Sequence, residues 1–263
     1  MVLMPPEISN FLETKFLVWL LTISRISGLF ILMPFFGGNF IPNNLKVILI
    51  VIISWLVLPT ISNTMPLDTG VLLIVLLSII NFVIGFLIGA VVFVFFSGVQ
   101  FMGEVFGLQL GFAVATLFDP QTFEETNIIG QLIYVLAMYV FVTVKGPHLI
   151  LNSIIGSFQT IPVDLLKMNN LVFYDVVKLG SEVFRIGMEI GIPLIAFMVV
   201  VTFIIGILSR LMPQMNLFMV GLPLKVLVGI LMLLGLLPII AEIVSKLSPK
   251  VVEEVERILT SLR

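Results

Sequence analysis

From Thr69 to Gly103 the chain carries no charged residue. A helix needs about 20 residues to cross the ~30 Å hydrocarbon core of a bilayer. This stretch is therefore long for one crossing. It fits one overlong helix or a tight hairpin broken near Asn81 or Gly85, and periodicity does not choose between them. It is one of seven apolar blocks, at 16–36, 45–58, 71–102, 128–144, 148–161, 190–208 and 217–244. The blocks are too long for strands, and backbone exposed to lipid must satisfy its own hydrogen bonds, so helices are expected. Turn-forming runs separate them: PFFGGNFIPNN after the first, PTISNTMPLDTG after the second, KGPH between the fourth and fifth. With 60% hydrophobic and 11% charged residues among 263 and a mean hydropathy of +1.26, the class is an all-α integral membrane protein rather than a soluble domain.

Several functions are excluded or disfavoured. The net charge of −2, without basic runs, argues against nucleic-acid binding. The absence of cysteine removes disulfides, thiolate metal sites and thiol catalysis. His148 is the single histidine, and one histidine with scattered carboxylates makes a poor zinc site. After Gly146-Pro147 it reads as a helix-start residue. Nothing around Ser153 or Ser157 resembles a nucleophile elbow. Asp119 before Pro120 reads first as a turn former. No enzyme activity, metal or other cofactor is expected. Residues 1–10 lack the basic start and unbroken apolar core of a signal peptide.

Other features resist a simple spanning topology. The blocks 45–58 and 148–161 are short, and Lys and Arg are so distributed that no alternation of sides gives a clean basic face. Arg25 lies in the middle of the first block, where facing lipid would cost roughly 2.5–3.5 kcal/mol. It is expected to face a protein partner or a wet cavity. Lys225 lies inside the last block and is open to snorkelling. Gly103, Gly107 and Gly111 share one helical face, and Gly85/Gly89 and Gly187/Gly191 repeat the spacing, as in closely packed membrane helices. In the tail, Pro249 after a possible Ser248 N-cap predicts a separate amphipathic helix. Its apolar face of Val251, Val252, Val255, Ile258, Leu259 and Leu262 would lie on the membrane or on a partner. A polar insert, Asp119-Pro120 through Glu124-Glu125, separates two apolar blocks and is flanked by Phe112, Phe118 and Phe123. From the residues alone it reads as a loop.

Three segments together resemble one family. GEVFGLQLGFAVATLFDPQT (103–122), GPHLILNSIIGSFQTIP (146–162) and SRLMPQMNLFMVGLPLKVLVG (209–229) are similar, in order, to stretches of the R-type subunit of the bacterial type III export gate, the FliR family. Pro147 departs from it, standing where many relatives carry a second histidine.

The resemblance implies a non-enzymatic core component of the flagellar protein export gate. It would sit in the bacterial inner membrane at the flagellar basal body, with P-type and Q-type subunits, a B-type switch subunit, membrane lipid and unfolded export substrates as partners. It implies a P-like helical part at 1–180 and a Q-like helical hairpin at 181–263. A plug loop at about 111–125 would involve Gly111, Phe112, Phe118, Asp119, Pro120 and Phe123. Gly103, Gly107 and Gln109 would pack the preceding helix, and Arg210, Pro213, Gln214, Asn216, Pro223 and Lys225 would form the hairpin turn. The injectisome T-type subunit is the nearest alternative. A secondary transporter would instead call for internal repeats and midplane acid–base pairs, and neither is evident.

Overall fold

The computed structural model describes residues 6–37, 41–61, 70–111, 128–164, 171–211 and 217–262, and among these every regular element is helical. The α-helices are α1 (Pro6–Leu32), α2 (Pro34–Gly37), α3 (Asn43–Val57), α4 (Val71–Leu110), α5 (Ile128–Thr143), α6 (Gly146–Thr160), α7 (Leu171–Leu211) and α8 (Leu217–Ser261), with a 3-10 turn at Leu58–Thr60. Five helices are long and apolar enough to cross a membrane, and α5 and α6 meet that test only as a broken pair, which would make six. The protein is thus an all-α membrane protein. The short block at 148–161 is explained: it is one half of that pair.

Local chemistry sets the helix ends. Pro6 opens α1 at a position where its missing N–H costs nothing, and α1 stops at Leu32 ahead of Pro34. Pro42, in extended backbone, precedes α3, and its carbonyl accepts from the Leu45 and Lys46 amides. At the α5–α6 break Lys145 adopts left-handed backbone (φ 60°), and its amide donates to the Val142 carbonyl. His148 follows Gly146-Pro147 in the first turn of α6 and is exposed.

The question of 69–103 is resolved in favour of one continuous helix. α4 is 40 residues long and unbroken at Asn81 or Gly85. Asn81 returns a side-chain hydrogen bond to the Leu77 carbonyl, so a polar residue here does not break the helix. Gly85 serves packing: a Cβ there would overlap the carbonyl of Arg25 on α1.

The chain divides into two compact units, 1–94 with 147–179 and 250–263, and 95–146 with 180–249. In the first, α1 packs against α3 through an edge-on pair of Trp19 and Trp55 (ring centroids 6.0 Å apart) and against α4 through the Gly85 approach. In the second, Phe95, Phe96 and Phe141 form an aromatic knot with Tyr134. The division at 180/181 suggested by the resemblance falls within α7.

Two expectations are corrected. The tail is not a separate helix begun at Ser248: α8 continues through Pro249 to Ser261, and the Ser248 hydroxyl donates backwards to the Val244 carbonyl (2.7 Å) instead of capping forward. Buried residues on either side, Leu247 and Val251, hold the register across the proline. The apolar face of Val251, Val255, Ile258, Leu259 and Leu262 is buried within the chain rather than offered to membrane or partner. Arg25, likewise, faces neither a partner nor a wet cavity.

Candidate functional site

The glycine-spaced end of α4 lies in the second unit. Gly103 meets Gly130 of α5 backbone to backbone: a Cβ on Gly103 would stand 2.7 Å from the Gly130 Cα, a separation real side chains do not adopt. Glu104 reaches over Gly130 and accepts a hydrogen bond from Gln100 Nε2 (3.0 Å). Gly107 is buried and Gln109 half-buried. At Gly111 the backbone turns left-handed (φ 93°), a conformation that costs glycine nothing, and its amide donates to the Leu108 carbonyl (3.1 Å). This ends α4. The other glycine pair seats α7 on the same helix, Gly187 against the Gly98 carbonyl and Gly191 against Met102.

Two of the proposed site residues, distant in sequence, come together. Gln109 of α4 and Arg210 of α7 both line an open groove of about 640 Å³ in the second unit, with Val199, Thr202, Phe203, Gly206 and Ile207. Pro223 is exposed and Lys225 half-buried, both within α8. Phe112, Phe118, Asp119, Pro120 and Phe123 lie outside the described residues, as do Pro213, Gln214 and Asn216.

Arg25, in the first unit, is fully buried. Its Nε and one terminal nitrogen both donate to Asn81 Oδ1 (3.0 and 2.7 Å). That nitrogen also donates to the Ile161 carbonyl (3.0 Å), and the other terminal nitrogen donates to Ser157 Oγ (3.2 Å). The Phe158 ring lies 4.3 Å from the guanidinium carbon, within cation–π range. Asn81 is consumed in full: its Nδ2 donates to the Leu77 and Val163 carbonyls (2.8 and 2.9 Å). Ser157 passes its own proton to the Ile154 carbonyl (2.6 Å). The network joins α1, α4, α6 and the residues just after α6. Sequence reasoning missed Asn81 and Ser157 as its members. The available signal was two strongly polar residues inside apolar blocks, the first and the third, since such groups in membrane helices pair with each other.

Among the described residues no cluster of His, Asp and Glu is placed to hold a metal ion. The polar groups brought together are amides, hydroxyls, guanidinium groups and the Glu104 carboxylate, which suit packing, anchoring and recognition.

Comparison with known proteins identifies a family. The family described as bacterial export proteins, family 1, matches residues 16–250. The flagellar biosynthetic protein FliR of Bacillus subtilis (strain 168) is 30% identical over 255 residues, 95% of this chain and 97% of that protein. FliR of Buchnera aphidicola from Acyrthosiphon pisum (strain APS) is 30% identical over 85% of this chain and 86% of its own length. FliR of Escherichia coli (strain K12) is 28% identical over 82% and 83%. Matched by the family model over residues 16–250 and 30% identical to a relative over 95% of its own length, the chain belongs to the bacterial export proteins, family 1.

Proposed function

We propose that this chain is a membrane component of the flagellar protein export apparatus, a transport subunit and not an enzyme, in the bacterial inner membrane. Its partners in this reading are P-type and Q-type gate subunits and a B-type switch subunit, and the cargo is unfolded flagellar protein. Family membership over 16–250 supports the reading at the level of the apparatus. The flagellar names of the relatives favour flagellar over injectisome use.

The finer assignment is a plug at about 111–125. The observation that carries it is the glycine joint between α4 and α5. Gly103 and Gly130 fix these helices at van der Waals distance on either side of the segment, and Gly111 ends α4 abruptly at its start. An obstruction in a channel needs such anchored ends. Phe112, Phe118 and Phe123 supply apolar bulk, Pro120 excludes helix, and Asp119, Glu124 and Glu125 suit a watery lumen.

The test is deletion within 115–122 in cells carrying the complete apparatus. The helices and their glycine joint are untouched, so the complex assembles. The membrane becomes leaky to small ions and growth slows on overexpression. Phe118→Ala gives a milder leak and Asp119→Asn less still. A deletion that assembles normally and leaves membrane conductance at the parental level makes the segment an ordinary loop.

A further inference from the structure

We propose that the groove shared by Gln109 and Arg210 is a binding site for an acidic glycerophospholipid, with an acyl chain along Val199, Phe203 and Ile207 and the headgroup phosphate held by Arg210 and Gln109. The site requires only that the chain lies in a membrane, and it is independent of the plug. The groove runs along one face of α7 at positions 199, 202, 203, 206, 207 and 210. At 1.5 Å per residue that face is about 16 Å long, comparable to an extended acyl chain.

Its polarity is graded like that of a lipid. Val199 and Phe203 are 54% and 69% exposed. Thr202 spends its hydroxyl proton on the Met198 carbonyl (2.8 Å) of its own helix. Above Gly206 there is open space: a Cβ built there meets nothing within 4 Å. The charge stands at one end only. Arg210 is in the last turn of α7, at the edge of the apolar window 185–211, and Gln109 is in the last turn of α4. Both polar side chains thus stand at helix ends, at one end of the groove, where one headgroup can reach the two of them. Among the described residues no carboxylate lies within ion-pair distance of Arg210. A guanidinium offers the paired donors that a phosphate accepts, and the Gln109 amide adds one more.

A partner helix bearing a carboxylate is the rival occupant. Two observations favour lipid. Exposed apolar residues continue beyond the groove on the same helix, through Val200, Ile204, Leu208 and Leu211, in an arc broader than the stripe one helix covers. And the polar groups gather at a helix end instead of alternating along the face.

The test uses the protein purified in mild detergent with whatever subunits accompany it, and fluorescent phosphatidylglycerol in mixed micelles, competed by phosphatidylglycerol or phosphatidylcholine. Phosphatidylglycerol is expected to compete about five- to tenfold better. Arg210→Gln should abolish that preference, Arg210→Lys should keep part of it, and Arg185→Gln, at an exposed site elsewhere on α7, should leave it unchanged. Equal competition by both lipids overturns the proposal, as does a preference that survives Arg210→Gln. The chain has no cysteine, so Phe203→Cys provides a single thiol. Its efficient cross-linking to a neighbouring subunit in native membranes would give the groove to a protein and overturn the lipid assignment.

Discussion

Replacing Asn81 by leucine should unlock the first unit. Leucine shares asparagine's branching and is somewhat larger, so the change opens no cavity and its main effect is the loss of the polar groups. It removes the one oxygen that accepts from both Nε and a terminal nitrogen of Arg25, at 3.0 and 2.7 Å, and strands the Val163 carbonyl that Asn81 Nδ2 serves. Hydrogen bonds to a charged group contribute about 1.5–3 kcal/mol each. Removing one partner of a buried ion pair costs about 3–5 kcal/mol, because the remaining charge stays buried and underserved, and the neutral Asn81 places its loss at the lower end of that range. Arg25 keeps the Ser157 and Ile161 bonds and the Phe158 ring, so we place Asn81→Leu at about 3–4 kcal/mol. For a chain of this size that lowers Tm by roughly 6–16 °C. Arg25→Met leaves Asn81 Oδ1 without its donors and costs about 2–4 kcal/mol. The double variant replaces both ends with apolar side chains and should be far less damaging than the sum of the singles, with a coupling of about 2 kcal/mol or more. The assay is thermal unfolding in detergent, followed by far-UV circular dichroism, for all four proteins of the cycle. An Asn81→Leu protein that melts within a degree of the parent, or a double variant as damaged as the two singles added, refutes the account.

Gly103→Val should separate α4 from α5, since even its first carbon would stand 2.7 Å from the Gly130 Cα; expected is a loss of about 3 kcal/mol or more, read as loss of monodisperse protein on size exclusion. Lys145→Gly should stabilise by about 1 kcal/mol, because the left-handed backbone there (φ 60°) penalises a side chain; an unchanged or lowered Tm contradicts it. Pro249→Ala should raise Tm, since α8 runs unbroken through that position and alanine restores a helix amide worth about 1–3 kcal/mol; a lower Tm would mean that the proline marks a true helix start.

What could be read from the sequence was mostly local. Block length and polarity are properties of consecutive residues, and each of the seven apolar blocks corresponds to a helix, from α1 and α3 to α8. Gly103 stood out because glycines recur around it, whereas its counterpart Gly130 is a lone glycine in an apolar block and carried no signal. The Arg25–Asn81 pair spans 56 residues, and nothing near either residue names the other. Asn81 even pointed the wrong way, as a candidate break in α4, because the same amide that breaks a solvated helix can be satisfied inside a packed one. Ser248-Pro249 misled for a related reason. Cap chemistry favours a start there, but burial of Leu247 and Val251 on either side outweighs it. The convergence of Gln109 and Arg210 was illegible because it arises only when two helices end side by side.

The internal arginine also changes the argument for assembly. An intramembrane cation is normally a reason to look for a partner outside the chain. Arg25 gives no such reason, since α1, α4, α6 and the residues after α6 meet its needs. The need for surroundings arises elsewhere. On α3 the exposed residues Leu45, Ile48, Ile52, Trp55 and Leu56 are large and apolar, a surface that lipid alone satisfies. Along α7 and α8 the exposed apolar residues are interrupted by Gly206 and Gly235, over which nothing stands within 4 Å, and by Arg210. Small and charged residues on an apolar surface are poorly matched by bulk lipid and well matched by a specifically held occupant, such as the bound lipid proposed at Arg210. Dependence on specific surroundings is therefore a property of the second unit, while the first carries its polar core already closed.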